Sequence, residues 1–124
     1  MSVATLLLVD DESRILSSLR RALRREGYRI LVASTPGEAL RVLEAEPIDA
    51  ILSDHKMPGM SGLELLEVAA RARPATVRLL ISGWPDAIPE ERLAAIGVRA
   101  VIPKPWDDAE LKRVLADALR SPAG

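Results

Sequence analysis

No cysteine occurs in the 124 residues, so the chain can form neither a disulfide nor a thiolate metal site. There is no phenylalanine and only one tyrosine and two tryptophans, which leaves Leu, Ile, Val and Ala to fill the core. Neither sign of charge dominates: 17 Lys and Arg face 18 Asp and Glu, for a net charge of -1. That balance gives no bulk attraction to nucleic acid or to an anionic membrane. No segment approaches the roughly 20 apolar residues of a membrane helix. The N-terminus lacks the basic region of a signal peptide, and Asp10 and Asp11 cut its apolar run short. These absences together predict a soluble cytoplasmic domain with no membrane contact and no direct nucleic-acid binding.

Hydrophobic residues make up 48% of the chain, too many for a disordered segment. The length suits one domain with a sizeable core. We expect a single domain over 1–124, with its core at about 4–120 and the Ser121-Pro122-Ala123-Gly124 stretch as a tail. There is no internal repeat and no low-complexity tract.

Thr5-Leu6-Leu7-Leu8-Val9 is a short apolar run ended by acids, the pattern of a strand buried on both faces. From Glu12 to Glu26, Ile15, Leu16, Leu19 and Leu23 recur at helical spacing, and Gly27 is a natural stop. Tyr28 to Ala33 reads as a second strand. Thr35-Pro36-Gly37-Glu38 carries a capping-box pattern with proline at the first helical position, opening a helix to about Ala45. Ile48 to Ser53 reads as a third strand that delivers Asp54 to a loop containing Pro58, Gly59 and Gly62. Ser61-Gly62-Leu63-Glu64 is a second capping box, and Pro74 cannot continue its helix. Val77 to Ile81 is a fourth strand, Pro89 to Ile96 a short helix stopped by Gly97, and Arg99 to Ile102 a fifth strand. Asp107 and Glu110 cap a last helix whose inner face is Leu111, Val114, Leu115, Ala118 and Leu119.

Five apolar strands alternating with five helices predict an α/β fold, a doubly wound parallel sheet with helices on both faces. In such sheets ligands bind beyond the carboxyl ends of the strands. Those ends carry Asp10-Asp11, Asp54, Ser82 and Lys104. Three carboxylates in one cleft repel and raise each other's pKa unless a cation joins them. Lys104 supplies one positive charge, which leaves an acidic pocket suited to a divalent ion. Oxygen-only ligands favour a hard ion, and a partly hydrated octahedral site favours magnesium.

Taken singly, each residue has a plainer reading. Asp10 or Asp11 could simply cap the first helix, Ser82 before Gly83 could be a turn residue, and Lys104 a solvated charge. His55 reads as an exposed loop residue rather than a ligand or base. The functional reading rests on all these groups ending successive strands along one edge.

The set Asp10-Asp11, Asp54 followed by Met57-Pro58-Gly59-Met60-Ser61-Gly62, Ser82-Gly83 and Lys104-Pro105 resembles the receiver domain of bacterial two-component response regulators, as in the chemotaxis response regulators. The resemblance runs from Leu6 to Leu119. It implies a flavodoxin-like sheet in the order 2-1-3-4-5. It also implies that Asp54 accepts a phosphoryl group from a sensor histidine kinase or phosphotransfer protein. Asp11, Asp54 and the backbone carbonyl of Lys56 would ligate Mg2+ directly, and Asp10 through water. Lys104 would neutralise the phosphoryl oxygens and Ser82 would hydrogen-bond one of them. Lys104-Pro105 would be cis, as is usual for this pair in the family.

One position departs from the family pattern, and two variable positions bear on the site. Where the family often has Tyr or Phe, three residues before the lysine, this chain has Val101. Lys56 and Trp84 fill the variable positions flanking the phosphoryl site, where bulk or positive charge would restrict the attacking water and slow autodephosphorylation. Trp84 is expected on the rim, half exposed, and Trp106 at the start of the last helix.

The leading expectation is therefore a phosphorylation-dependent signalling switch, not an enzyme in the ordinary sense. The alternative is a receiver-like adaptor or dimerisation module that no longer switches, which the absent aromatic favours. A phosphotransferase or phosphatase on small substrates ranks last, since there is no separate base, lid or specificity segment. The chain ends just after the last helix, which leaves open a single-domain regulator or part of a longer protein. An output domain, a separate target or a homodimer could each receive the signal. Kinase choice is expected on the first helix around Arg14, Ser18 and Arg21.

Overall fold

The computed structural model describes residues 3–120, so the 121–124 tail lies outside the described residues. The elements run β1 (Thr5–Val9), α1 (Ser13–Leu23), β2 (Arg29–Ala33), α2 (Pro36–Ala45), β3 (Ala50–Asp54), α3 (Gly62–Ala72), β4 (Val77–Ser82), a single 3₁₀ turn (Pro85–Ala87), α4 (Glu90–Ile96), β5 (Val98–Pro103) and α5 (Asp108–Arg120). All strands are parallel, in the order β2-β1-β3-β4-β5. This is the doubly wound order expected from the sequence.

The strand pleat sends alternate residues to opposite faces, and each face has its own core. Leu6, Leu8, Leu52, Leu79, Ile81 and Ile102 pack with the inner stripes of α1 and α5. Leu7, Val9, Ile51 and Leu80 pack with α2, α3 and α4. Every residue of β1 and β3 is buried. Each fully buried Leu or Ile contributes about 1.5–3 kcal/mol over an exposed one, and with so few aromatics these side chains supply nearly all of the core.

The predicted caps form. The amide of Glu38 donates to Thr35 Oγ1 at 3.1 Å, but the Glu38 carboxylate accepts the Ser34 amide rather than that of Thr35, so only half of the expected box forms there. Ser61 and Glu64 exchange hydrogen bonds in a full capping box, and the amide of Glu110 donates to Asp107 Oδ2 at 3.0 Å. Gly97 ends α4 in the left-handed conformation at φ 76°. Helix α1, by contrast, ends at Leu23 rather than at Gly27. Residues 24–27 form a turn, and Gly27 serves it with a φ of 85°. The apolar spacing stops at Leu23, and the arginines that follow have nothing to bury. Between β4 and β5 the register shifts, from Arg78 opposite Val98 to Leu79 opposite Ala100. Among the described residues no helix is long and apolar enough to cross a membrane.

Candidate functional site

The parallel sheet brings the carboxyl ends of β1, β3, β4 and β5 together, and the sequence places an acid, an acid, a hydroxyl and an amine just there. Asp54 is the last residue of β3, at the centre of the sheet, and is only 5% exposed. Asp10 follows β1 and is fully buried, whereas Asp11 beside it is exposed. One carboxylate oxygen from each of Asp10, Asp11 and Asp54 lies within 4.8 Å of the others. That spacing and an all-oxygen donor set fit a divalent hard cation, with one acid buried for rigidity and one open to exchange.

Lys104 reaches into the acids from the loop after β5. Its Nζ donates to Asp54 Oδ1 at 3.1 Å and to Asp10 Oδ2 at 3.3 Å. Burial pulls the ammonium's pKa down, but the hydrogen bond and charge of Asp54 and the charge of Asp10 outweigh it, and the net shift is upward. Lys104 is therefore held fully protonated. For Asp10, burial pushes the carboxyl above its usual range, and the charge of Asp54 adds to this. The Glu12 amide, donating to Asp10 Oδ1 at 2.9 Å, and Lys104 oppose the rise without cancelling it. Asp10 does not cap α1, whose N-cap is Glu12 with no side-chain cap bond; its carboxylate holds the Glu12 amide and belongs to the acidic cluster.

Ser82 ends β4, buried beside the acids. Its Oγ accepts the Trp84 amide at 3.1 Å, and its carbonyl accepts the Lys104 amide at 2.9 Å, which ties the hydroxyl and amine loops together. The Lys104-Pro105 bond is cis. Asp54, Lys56, Ser82, Trp84 and Lys104 line one cleft of about 200 Å3. Across its mouth the Lys56 ammonium sits 5.5 Å from the centroid of the Trp84 ring, a cation–π pair.

Two features differ from the sequence reading. Trp84 is 71% exposed rather than half exposed, because it stands clear of the core at the start of the 3₁₀ turn. His55 is half-buried rather than exposed: its backbone continues β3, donating to Ile81 and accepting from Gly62, so its ring is drawn inward. Burial lowers the imidazole pKa, Asp54 opposes this, and Lys56 and Arg92 add to it. One contributor was missed: Glu12 joins the cleft wall. Gly62, read as a loop, helix-start and motif residue, has a further role, packing against Asp54 so closely that a Cβ there would overlap the Asp54 carbonyl group. A glycine at the first helical position, where most residues would serve, was the available signal. Trp106 packs on the α1–α5 core as expected, and Val101 is half-buried against the α4 side.

A parallel α/β fold with a carboxylate at the central strand end, flanked by two acids, a hydroxyl and a lysine, defines a phosphoryl-accepting signalling domain. The chain belongs to the response regulator receiver domain family, matched over residues 6–116. It is 41% identical over 106 residues to the hydrogenase transcriptional regulatory protein HoxA of Cupriavidus necator, covering 83% of this chain and 21% of that protein. It is 33% identical to the transcriptional regulatory protein GlrR of Escherichia coli, covering 97% of this chain and 27% of that one. The chain therefore spans about a quarter of the length of these relatives. Among solved structures, the CheY-like receiver domain protein of Methanospirillum hungatei superposes with a TM-score of 0.87 at 34% identity, covering 96% of this chain and 95% of that one. The signal receiver domain of an HD domain-containing protein of Pseudomonas fluorescens gives 0.90 at 32% identity, covering 96% of each. Receiver domains are phosphorylation-dependent regulatory switches rather than enzymes in the ordinary sense. They bind Mg2+ at an acidic pocket and work with histidine kinases and output domains.

Proposed function

We propose that Asp54 is the phosphoacceptor of this switch. The observation that carries the reading is the convergence of Asp10, Asp11 and Asp54 with an ammonium, Lys104 Nζ, bonded to the proposed nucleophile. An Asp54 carboxylate oxygen attacks the phosphorus of a phosphohistidine. The P–N bond breaks, its electron pair stays on the imidazole, which then takes up a proton, and an aspartyl phosphate forms.

Phosphoryl transfer needs positioning and charge neutralisation more than covalent assistance. Lys104 is fully protonated and directed at the Asp54 carboxylate, so it meets charge on the phosphoryl oxygens without rearrangement. Asp11, Asp54 and the Lys56 carbonyl are the residues that would hold Mg2+, with Asp10 acting through water. When bound, the ion supplies further charge neutralisation. Ser82 Oγ accepts the Trp84 amide and keeps its own proton to donate to a phosphoryl oxygen, which would draw its loop toward Asp54. Phosphorylation replaces the single charge of the Asp54 carboxylate with a phosphoryl group carrying about two negative charges, so the site gains about one charge and three acceptor oxygens. To turn a mostly off population mostly on requires on the order of 5 kcal/mol of differential stabilisation.

The same reading assigns the donor as a sensor histidine kinase or phosphotransfer protein in the cytoplasm, docking on the α1 face near Arg14, Ser18 and Arg21. An output domain, a target protein or a second copy receives the signal. The assembled site favours this switch over a non-switching adaptor, for which Val101 in place of an aromatic is the one supporting feature.

The test is incubation with millimolar magnesium and a small phosphodonor or beryllofluoride, with Asp54→Asn in parallel. We expect intact-mass spectrometry to show one phosphoryl group on the parent chain and none on the variant. No adduct on either chain favours the adaptor.

A further inference from the structure

A second concavity lies at the amino edge of the sheet, the opposite end from Asp54. Helix α1 leaves the carboxyl edge at Ser13 and returns the chain to the amino edge, where β2 begins beside β1 with Arg29 opposite Thr5. Between the end of α1 and β2, Arg20, Arg21, Arg24, Tyr28 and Ile30 line an open cleft of about 420 Å3. That volume is in the range of small-molecule sites.

The charge here is concentrated. Residues 13–29 hold six of the chain's 17 basic residues and one of its 18 acids, although the whole chain is nearly neutral. Arg29 pairs with Glu46 at 2.6 Å, but among the described residues no carboxylate pairs with Arg20, Arg21 or Arg24. Like charges one helical turn apart, as in Arg20 and Arg24, cost a helix about 0.2–0.5 kcal/mol. Cations in the last turn complement the helix dipole, which accounts for Arg20 and Arg21. It extends to Arg24 at the C-cap, but it does not account for an aromatic wall beside these arginines. Tyr28 and Ile30 are half-buried on the α1–α5 core and present a fixed apolar surface, with Glu26 close to the phenol.

Planar forked guanidiniums match phosphate oxygens, and an aromatic with an aliphatic neighbour suits a flat ring. We propose that this cleft is a second ligand site, for a nucleotide: its phosphates lie on Arg20, Arg21 and Arg24, and its base lies against Tyr28 and Ile30. The site lies apart from the Asp54 cleft, shares only Arg21 with the donor-docking face proposed above, and stands whether or not Asp54 is the acceptor.

The experiment titrates the isotope-labelled full chain with ATP, pyrophosphate and poly-glutamate in EDTA, following backbone amide shifts. We expect saturable ATP shifts within residues 20–30 with a Kd below about 1 mM, weakening as salt shortens the Debye length from about 30 to about 8 Å. Arg20→Gln with Arg24→Gln, both exposed positions, should lose at least about tenfold in affinity, each 1.4 kcal/mol being tenfold. Tyr28→Leu should weaken ATP but not pyrophosphate. The proposal is overturned if ATP does not saturate, if shifts are confined to residues around 54, 82 and 104, or if the double variant binds as tightly as the parent. Tighter binding of poly-glutamate than of ATP also overturns it, because the cleft would then face an acidic protein segment.

Discussion

Gly62 lies directly against the main chain of Asp54. Its amide donates to the His55 carbonyl at 2.7 Å, and an ideal Cβ on it would stand 2.8 Å from the Asp54 carbonyl carbon. The start of α3 is thereby clamped onto the end of β3, so whatever moves Gly62 also moves Asp54.

Gly62→Ala should therefore reverse the usual sign of a helical glycine-to-alanine change, which stabilises by about 0.5–1 kcal/mol. Backbone cannot yield as a flexible side chain would, and we expect a loss of about 2–3 kcal/mol, within the range for overpacking. Thermal unfolding should show a melting temperature lower by roughly 5–15 °C. Phosphoryl uptake at Asp54 should fall with it. A variant as stable as the parent would show that the two elements can part at little cost.

Removing Lys104 leaves buried Asp10 and Asp54 without their shared cation. Such unpaired charge is costly, though the lysine's partial exposure screens it. Lys104→Met should destabilise the metal-free domain by about 1–3 kcal/mol. Magnesium should then raise the variant's melting temperature more than the parent's. We also expect phosphorylation from a small donor to slow by about 100-fold. An equal magnesium response in the two chains would contradict this account.

Asp10 gives a pH signature. Its folded pKa is raised above 3.8, so the folded state binds the proton more tightly than the unfolded state. The ionised form is a destabilising load, present in full above the folded pKa and relieved as pH falls through it toward 3.8. In EDTA, Asp10→Asn keeps an oxygen for the Glu12 amide and sheds that load. It should melt higher than the parent at neutral pH, with the difference shrinking in acid. Melting curves across the acid range check this, and a variant less stable at neutral pH would contradict it.

The Lys56–Trp84 pair stands across the cleft mouth. If it restricts the water that attacks the aspartyl phosphate, Lys56→Ala and Trp84→Ala should each shorten the phosphoryl half-life, by several-fold for one cation–π contact of about 1 kcal/mol. Loss of bound phosphate after donor removal measures this. Unchanged half-lives would sink the idea.

Much of this was legible in the sequence. The Ser61–Glu64 capping box, the Thr35 cap, the αL stop at Gly97 and, to within a residue, the five strand ends could be read because each depends on a local chemical rule. The site was legible because an all-parallel sheet puts the carboxyl ends of its strands on one edge, whatever their order. What escaped depended on tertiary approach. The inward turn of His55 follows from its hydrogen bonds to Ile81 and Gly62, far along the chain, and the need for glycine at 62 arises only once α3 meets β3. Helix α1 was overextended because Gly27 looks like a helix stop, whereas it serves a separate turn.

The strand order has a consequence for how amide hydrogens exchange. Asp54 closes the middle strand, which is paired on both sides from Ala50 to Ser53 and with β4 as far as Asp54, while Lys104 follows the edge strand β5, which pairs with β4 on one side. Exchange protection should be greatest around Asp54 and fall toward Lys104 and the 3₁₀ turn beside Trp84. The proposed acceptor is thus a fixed anvil, and the groups that gather around a phosphoryl oxygen ride on the part of the sheet most able to open and close.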